Sequence, residues 1–310
     1  MKYETAGDPM TGLLWTRKAT EKIARELQRE GIMVSAKSVA RLLKGMKYSL
    51  QANRKKIALS GAGSRKKRKE RDRQFRHINR MRECFAEQGF PVISVDTKKK
   101  ELIGNFKNAG RVWRNRPRNV ADHDFPSYAE AKMAPYGILD TIANAGAVYA
   151  GISHDTPAFA VDSINAWWEQ HGQGRYPRAK HILILADNGG SNRPSSHAWK
   201  YHLWDSLCRK HGLTVTVCHY PTGASKWNPI EHRLFSEISK NWSGTPLSSM
   251  ETALKYIRKT KTATGLTVSA TLNRKYYPCK EKVPKELSTK IVLEEYKIFP
   301  KLNYTLRPSN

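Results

Sequence analysis

Acidic residues are scarce in this 310-residue chain. Asp and Glu number 27 against 55 Lys and Arg, a formal net charge of +28 with a pI near 10.0. So lopsided a balance excludes a polycationic partner and points to a polyanion. No apolar run approaches the roughly 20 residues that a bilayer span requires, so no membrane partner is expected. The start, Met1-Lys2-Tyr3-Glu4, lacks the apolar core of a secretory signal, and an intracellular location is expected. The four cysteines, Cys84, Cys208, Cys218 and Cys279, form no close pair, which excludes a zinc module and a disulfide framework. His123, His219 and His232 have no Cys/His spacing around them that would build a zinc site. Gly189-Gly190 is not followed by Gly-Lys-Ser/Thr, so the chain has no nucleotide phosphate loop and no small-molecule substrate is expected. There is no internal repeat. Nucleic acid remains as the partner.

What is present suffices for a folded protein: 39% of residues are hydrophobic, enough to bury a core, and the length fits one large domain or two ordinary ones. From Thr16 to Arg29 the spacing of Ala19, Ile23, Ala24 and Leu27 predicts a helix capped by Thr16. Gly31 to Val34 breaks it, and Ser35 can cap a second helix with Val39, Leu42, Leu43 and Met46 inward. Helix, short turn, capped helix is the helix-turn-helix layout, whose second helix can enter a major groove. Lys37, Ser38, Arg41 and Lys44 would face outward, toward DNA; an ordinary helical hairpin is the alternative. Residues 51–76 read as a linker with charge blocks, among them Arg65, Lys66, Lys67, Arg68 and Lys69, a solvated tether able to track phosphates. A packed helix is expected over residues 72–88.

From Pro91 the pattern turns α/β. Val92 to Asp96 reads as a strand ending in a carboxylate, followed by Lys98, Lys99 and Lys100. Residues 107–134 are irregular and basic, with Trp113 among them. Strands near 135–140 and 146–152 precede a helix from Thr156 to Gln170. Ile182 to Leu185 is a short apolar run of the buried-strand type that stops at Asp187 and turns on Gly189-Gly190. A helix near 197–211, a strand at Leu213 to Cys218 and a helix starting at Asn228-Pro229-Ile230-Glu231 follow. Strands first in a meander and then alternating with helices imply a mixed five-stranded sheet with helices on its faces. Two strand-end aspartates fit an RNase H-like core, preceded by the all-α region. The expected layout is 1–50 helix-turn-helix, 51–90 basic linker and helix, 91–245 catalytic domain and 246–310 its C-terminal extension.

Asp96, Asp187 and Glu231 are the residues that chemistry selects. Phosphodiester cleavage without a covalent enzyme intermediate needs charge neutralisation and an activated oxygen nucleophile, which two Mg²⁺ ions supply. Mg²⁺ takes oxygen ligands and leaves positions for water and phosphate, so a few carboxylates within a basic chain suit it. Each residue has another reading. A lone strand-end Asp is commonly a turn former. Asn228 to Glu231 is close to a capping box, in which the Glu only bonds its own cap. Glu101, Asp122 and Asp124 are rival ligands.

These segments resemble a known family. Val92-Ile93-Ser94-Val95-Asp96-Thr97-Lys98-Lys99-Lys100-Glu101, Gly104 to Asn108, His123-Asp124-Phe125-Pro126, Ala186 to Asn192, Ser225-Lys226-Trp227-Asn228-Pro229-Ile230-Glu231 to Phe235 and Asn303 to Pro308 are similar to the DDE transposases of bacterial insertion sequences, specifically the Rhodopirellula-type family (the ISAzo group), distantly akin to mariner-like transposases. The resemblance runs from about Trp15 onward. It implies that Asp96, Asp187 and Glu231 are the metal-binding trio of an RNase H-like domain, with two Mg²⁺ ions per site and Mn²⁺ able to substitute. It also implies that residues 16–50 bind DNA. Metal-dependent cleavage at element ends and strand transfer into target DNA follow as the expected activity. The expected partners are double-stranded DNA and further copies of the chain on that DNA. Lys226 and Lys98 to Lys100 are candidate phosphate contacts. The alternatives are an RNase H-like nuclease without strand transfer and an inactive DNA-binding relative. Two departures stand out: relatives usually carry further N-terminal DNA-binding sequence, and Asn188 stands where they usually have Gly.

Overall fold

The computed structural model describes residues 5–7, 14–16, 19–49, 65–121, 126–224, 227–279, 281, 283–284, 287 and 289–309, with backbone alone at 5–7, 14–16, 65–67 and 126. The chain divides into two units, Met1–Gly63 and Ser64–Asn310.

The first unit holds a short antiparallel pair, β1 (Thr5–Gly7) and β2 (Leu14–Thr16), and two helices, α1 (Thr20–Arg29) and α2 (Ala36–Gly45). Ile23, Ala24 and Val39 form their shared core, with Leu27, Val34 and Leu43 against it. Ser35 caps α2 as its sequence predicts, its hydroxyl accepting from the Ser38 amide at 3.1 Å. Thr16 does not cap α1. It ends β2, and the helix starts at Thr20 behind Ala19, which offers no side-chain cap. Leu42 and Met46, expected inward, are exposed, because the described partner of α2 is one short helix that covers only the Val39–Leu43 stripe.

The second unit opens with α3 (Arg65–Glu87). Residues 51–64 of the expected linker lie outside the described residues, and the run Arg65 to Lys69, also expected as linker, begins this helix. Its far half is anchored by Ile78 and Phe85, which pack with Val92, Leu183 and Leu185. The strands are β3 (Val92–Thr97), β4 (Glu101–Ile103), β5 (Ala131–Asp140), β6 (Ala145–Gly151), β7 (His181–Ala186), β8 (Thr214–His219), β9 (Thr267–Asn273), β10 (Val292–Glu295) and β11 (Asn303–Arg307). They form one nine-stranded sheet in the order β10-β11-β8-β7-β3-β5-β6-β9, with β4 paired to β5. The five strands expected are its centre, β8-β7-β3-β5-β6. The residues beyond 246 add strands to the same sheet, β9 running parallel to β6 on one side and β11 antiparallel to β8 on the other.

Both faces of the centre are covered, which is why β7 reads as an unbroken apolar run. Successive side chains of a strand alternate between faces. Ile182 and Ile184 pack beneath α4 (Pro157–Trp167) and the helix His197–Leu203, with Trp167 and Trp199. Leu183 and Leu185 face α3 on the other side. On that second face the segment Glu231–Asn241 and the helix Met250–Arg258 cover β5 and β6 through Leu234, Phe235, Ile238 and Leu254. The approach is close: a Cβ on Gly137 of β5 would lie 2.4 Å from Phe235 Cε1 and 3.0 Å from Ile230 Cδ1, so only glycine admits the helix at this depth.

Candidate active site

β3 and β7 are adjacent and parallel, with Val95 opposite Ala186. Asp96 and Asp187 follow those two residues, so they leave neighbouring strands at the same level of the sheet's carboxyl edge. In open α/β sheets this edge is where ligands bind. Alternation puts Asp96 in line with Val92 and Ser94, and Asp187 in line with Leu183 and Leu185, on the face that carries the Glu231 segment. The Asp187 turn needs its glycines for distinct reasons: Gly190 has φ of +55°, and a Cβ on Gly189 would lie 3.2 Å from the Asp187 carboxylate.

The Asp96 carboxylate accepts from the Thr97 amide at 2.7 Å and from Asn228 Nδ2 at 3.4 Å. Asn228 is fully buried, and its Oδ1 accepts from Ser94 Oγ. Its amide thus clamps β3 instead of capping its own helix. Glu231 makes no capping-box bond: among the described residues its carboxylate has no hydrogen-bond partner. Asp187 Oδ1 accepts from Asn192 Nδ2 at 3.4 Å, and Asn192 Oδ1 accepts from Tyr136 at 2.9 Å. Buried His219 holds the Asp187 backbone carbonyl through Nδ1 at 2.8 Å, while its Nε2 lies 3.2 Å from the Tyr304 hydroxyl. Trp199 Nε1 donates to that hydroxyl at 2.8 Å. Burial lowers the His219 pKa to about 4, so the ring is a neutral brace.

Burial, together with the negative charges of Asp187 and Glu231, raises the Asp96 pKa to about 8. Burial also raises Asp187, against the Gly189 amide and Asn192, which favour its charged form. A fourth carboxylate, absent from the sequence reading, belongs to the same cluster. Asp155 sits at the start of α4, on the opposite face, and accepts from Thr97 Oγ1 at 3.1 Å. Thr97 is Asp96's neighbour, and its hydroxyl also lies 3.4 Å from Ser191 Oγ in the Asp187 turn. Burial raises the Asp155 pKa, opposed by hydrogen bonds from Ser191 and Thr97 and by the charge of Lys100. No sequence signal marked this residue, because Asp155-Thr156-Pro157 reads as the approach to a helix cap. Thr156 is that cap, accepting from the Phe159 amide at 3.3 Å.

Among the described residues none of Asp96, Asp155, Asp187 and Glu231 is in a salt bridge. The cluster is a set of hard oxygens that repel one another without an ion-pair partner among the described residues, and that donor set fits Mg²⁺. No three acidic, His or Cys side chains close into a ready cage among the described residues. Mg²⁺ does not call for one, since it is held by one or two carboxylates and keeps its waters.

The other expected site residues are spread out. Lys98 is turned inward, pairing with Glu101 and lying 5.0 Å over the Trp242 ring; both it and the rival ligand Glu101 are thereby engaged. Lys99 and Lys100 are exposed. Lys37, Arg41 and Lys44 are exposed along α2, while Ser38 is half-buried with its hydroxyl 3.0 Å from Ser35 Oγ. Arg68 is exposed on α3. The side chains of Arg65, Lys66 and Lys67, and the residues Lys226, Asp122, His123 and Asp124, lie outside the described part of the structure. No helix among the described residues is long and apolar enough to cross a membrane.

No curated protein matches this chain. Among solved structures, the Mos1 transposase paired-end complex with left transposon end is 15% identical, with 77% of this chain and 65% of that one covered and a TM-score of 0.44. The mariner Mos1 paired-end complexes with Mg and with Mn are 13% and 14% identical, cover the same shares, and have TM-scores of 0.46 and 0.42. The match thus spans just under two thirds of the length of those proteins. The profile of the Rhodopirellula transposase DDE domain matches residues 1–308, essentially the whole chain, and the chain belongs to that family.

Proposed function

We propose that this protein is a transposase that cuts DNA at the ends of an insertion sequence and joins the freed ends to target DNA. The observation that carries the reading is the carboxylate cluster at the ends of β3 and β7, set in a chain of net charge +28. Asp96, Asp187 and Glu231 would hold two divalent ions, Mg²⁺ or Mn²⁺, and Asp155 would brace the two aspartate turns from the α4 side. Bound there, such ions neutralise phosphate charge and activate an oxygen nucleophile. The chain's own part is to hold the oxygens rigidly, through Asn228, Asn192 and the Thr97 amide, and to release the Asp96 proton on loading. Water attacks the phosphorus at the element end, the P–O3′ bond breaks, and a 3′-hydroxyl leaves. That hydroxyl attacks a target phosphodiester and displaces a second 3′-oxygen. One ester replaces another, so the step needs no energy source. Lys37, Arg41 and Lys44 on α2, with Arg68, Lys99 and Lys100, supply phosphate or groove contacts to duplex DNA, and the protein acts there as a homo-oligomer.

The test is a cleavage and joining assay on DNA carrying the element's own ends. Activity is expected with Mg²⁺ or Mn²⁺ and not with EDTA. Asp187→Asn should abolish it with DNA binding intact, and Asp155→Asn should reduce it less severely. Wild-type activity in EDTA, or an Asp187→Asn variant as fast as wild type, refutes the reading.

A further inference from the structure

The connection between β4 and β5 carries an arm with no role in the carboxylate cluster. Residues 111–119 are all exposed. Trp113 is 104% exposed, and its indole makes no ring or hydrogen-bond contact with any described residue. Between positions 107 and 121 the chain carries Lys107, Arg111, Arg114, Arg116 and Arg118 and no acidic residue.

The base of this arm is fixed. At one end Lys107 N donates to Ala121 O and Ala121 N to Asn105 O, both at 2.9 Å. The Arg118 Nε donates to Asn105 Oδ1 at 3.1 Å. At the other, Asn108 Nδ2 donates to Thr245 O at 2.8 Å and Gly244 N to Ala109 O at 2.8 Å. Packing there is so tight that a Cβ on Gly110 would lie 1.7 Å from Ser243 Oγ. Ser243 and Gly244 directly follow the helical segment that starts at Glu231. At about 1.5 Å per residue, the base of the arm stands roughly 18 Å along that segment from Glu231.

An indole with no partner among the described residues, set among arginines on an arm whose base is pinned, is free to meet a ligand. We infer that Trp113 stacks on an unpaired DNA base beside the cleavage site, while the flanking arginines hold the neighbouring phosphates. The surface charge selects a polyanion over a second copy of this chain, which is itself strongly basic. The bare aromatic ring selects an unpaired base over intact duplex, whose bases are already stacked. Base–aromatic stacking needs no particular sequence, because every base has a π-face. Such bases arise where a strand has been cut or frayed, so the inference rests on the proposed cleavage reading and names the DNA form that the arm recognises.

The test uses the full chain in EDTA and compares anisotropy-measured affinities for an intact duplex and the same duplex with a two-nucleotide gap. Trp113→Ala should weaken binding to gapped DNA about tenfold and change duplex binding less than twofold, while Trp113→Phe keeps most of the preference. Arg116→Ala should weaken both DNAs alike and lower the salt dependence. Equal loss on both DNAs with Trp113→Ala, no loss on either, or no gap preference in the wild type overturns the inference. So does a shift of Trp113→Ala from oligomer to monomer in sedimentation with gap preference unchanged, which would assign the surface to a second copy. Failure of the cleavage reading shows separately, as absent metal-dependent cutting by the wild type.

Discussion

Gly137→Ala tests whether the fold, and not the carboxylates alone, sets the site. Gly137 lies opposite Asp96 across the β3–β5 ladder. The added methyl would sit 2.4 Å from Phe235 Cε1, 2.7 Å from Cζ and 3.0 Å from Ile230 Cδ1. Carbon atoms pack at about 3.5–4.0 Å, so the ring must retreat by more than about 1 Å. Ile230 and Phe235 bracket Glu231, and both are buried, so the helical segment moves as a piece. Overpacking of this kind costs about 1–3 kcal/mol, which for a domain of this size lowers Tm by roughly 2–12 °C. A misplacement of about 1 Å in a catalytic group costs on the order of 100-fold in rate. Cleavage should therefore fall about 100-fold in protein that is still folded at the assay temperature, with DNA affinity unchanged. Gly172→Ala is the control. Its methyl would meet Trp168 Cε3 at 2.3 Å, beyond the end of α4, and should lower Tm in the same range while leaving the rate per folded molecule near wild type. If Gly137→Ala keeps its rate within threefold despite a lowered Tm, or if both variants lose activity equally, the close approach at Gly137 does not set the site.

Two further outcomes follow from the electrostatics of the cluster. With Asp96 at about 8 in the fold and near its ordinary value of 3.8 when unfolded, the unfolded chain sheds the proton first. The folded state then binds more protons between about pH 4 and 8, and stability falls as pH rises through that window. Melting curves in EDTA should show Asp96→Asn gaining on wild type from pH 5 to 8, and Mg²⁺ narrowing the gap; a constant difference refutes the assigned protonation. Glu231→Gln breaks no hydrogen bond among the described residues but loses the charge that Mg²⁺ prefers. It should melt within about 2 °C of wild type, bind DNA and lose cleavage, and an active Gln variant would remove Glu231 from the proposed ligand set.

The central strands were legible because their burial is complete. Ile182 to Leu185 is apolar at every position, since one face meets Trp199 and the other meets α3, and no local polarity disguises it. Asp187 was legible for the same reason, as the first polar residue after a dry run, whereas Asp96 ends a strand already interrupted by Ser94. The sheet edges were not. Every residue of Val292–Glu295 is exposed, and β11 is buried only because Asn303 to Leu306 meet Cys218 to Val215, a pairing across more than 80 residues that leaves no local pattern. The start of α3 was hidden by its charge: Arg65 to Lys69 has the composition of a tether, and the apolar residues that anchor the helix, Ile78 and Phe85, come more than three turns after Arg65. In the first unit, helical spacing predicted which side chains could share a stripe but not how wide the partner is, so Leu42 and Met46 were expected inward and stand exposed.

Asn228 shows why the spacing around Glu231 was ambiguous. An Asn three residues before a Glu has the form of a capping box, and such a pair would satisfy each other's backbone groups. Here the Asn amide is committed to another element. Its oxygen accepts from the Ser94 hydroxyl and its nitrogen donates to Asp96, two opposite demands that an amide meets at once. An Asp at this position could meet only the first, and would add a negative charge beside a carboxylate that burial and its neighbours already hold at about 8. A Ser would reach neither partner from the helix start. With the cap residue spent on the strand, the Glu231 carboxylate has no bond to its own helix, and its charge acts on Asp96 instead. The motif that suggests a local helix start is therefore the joint that fastens the helix to the sheet, and the same joint sets Glu231 beside the two strand-end aspartates.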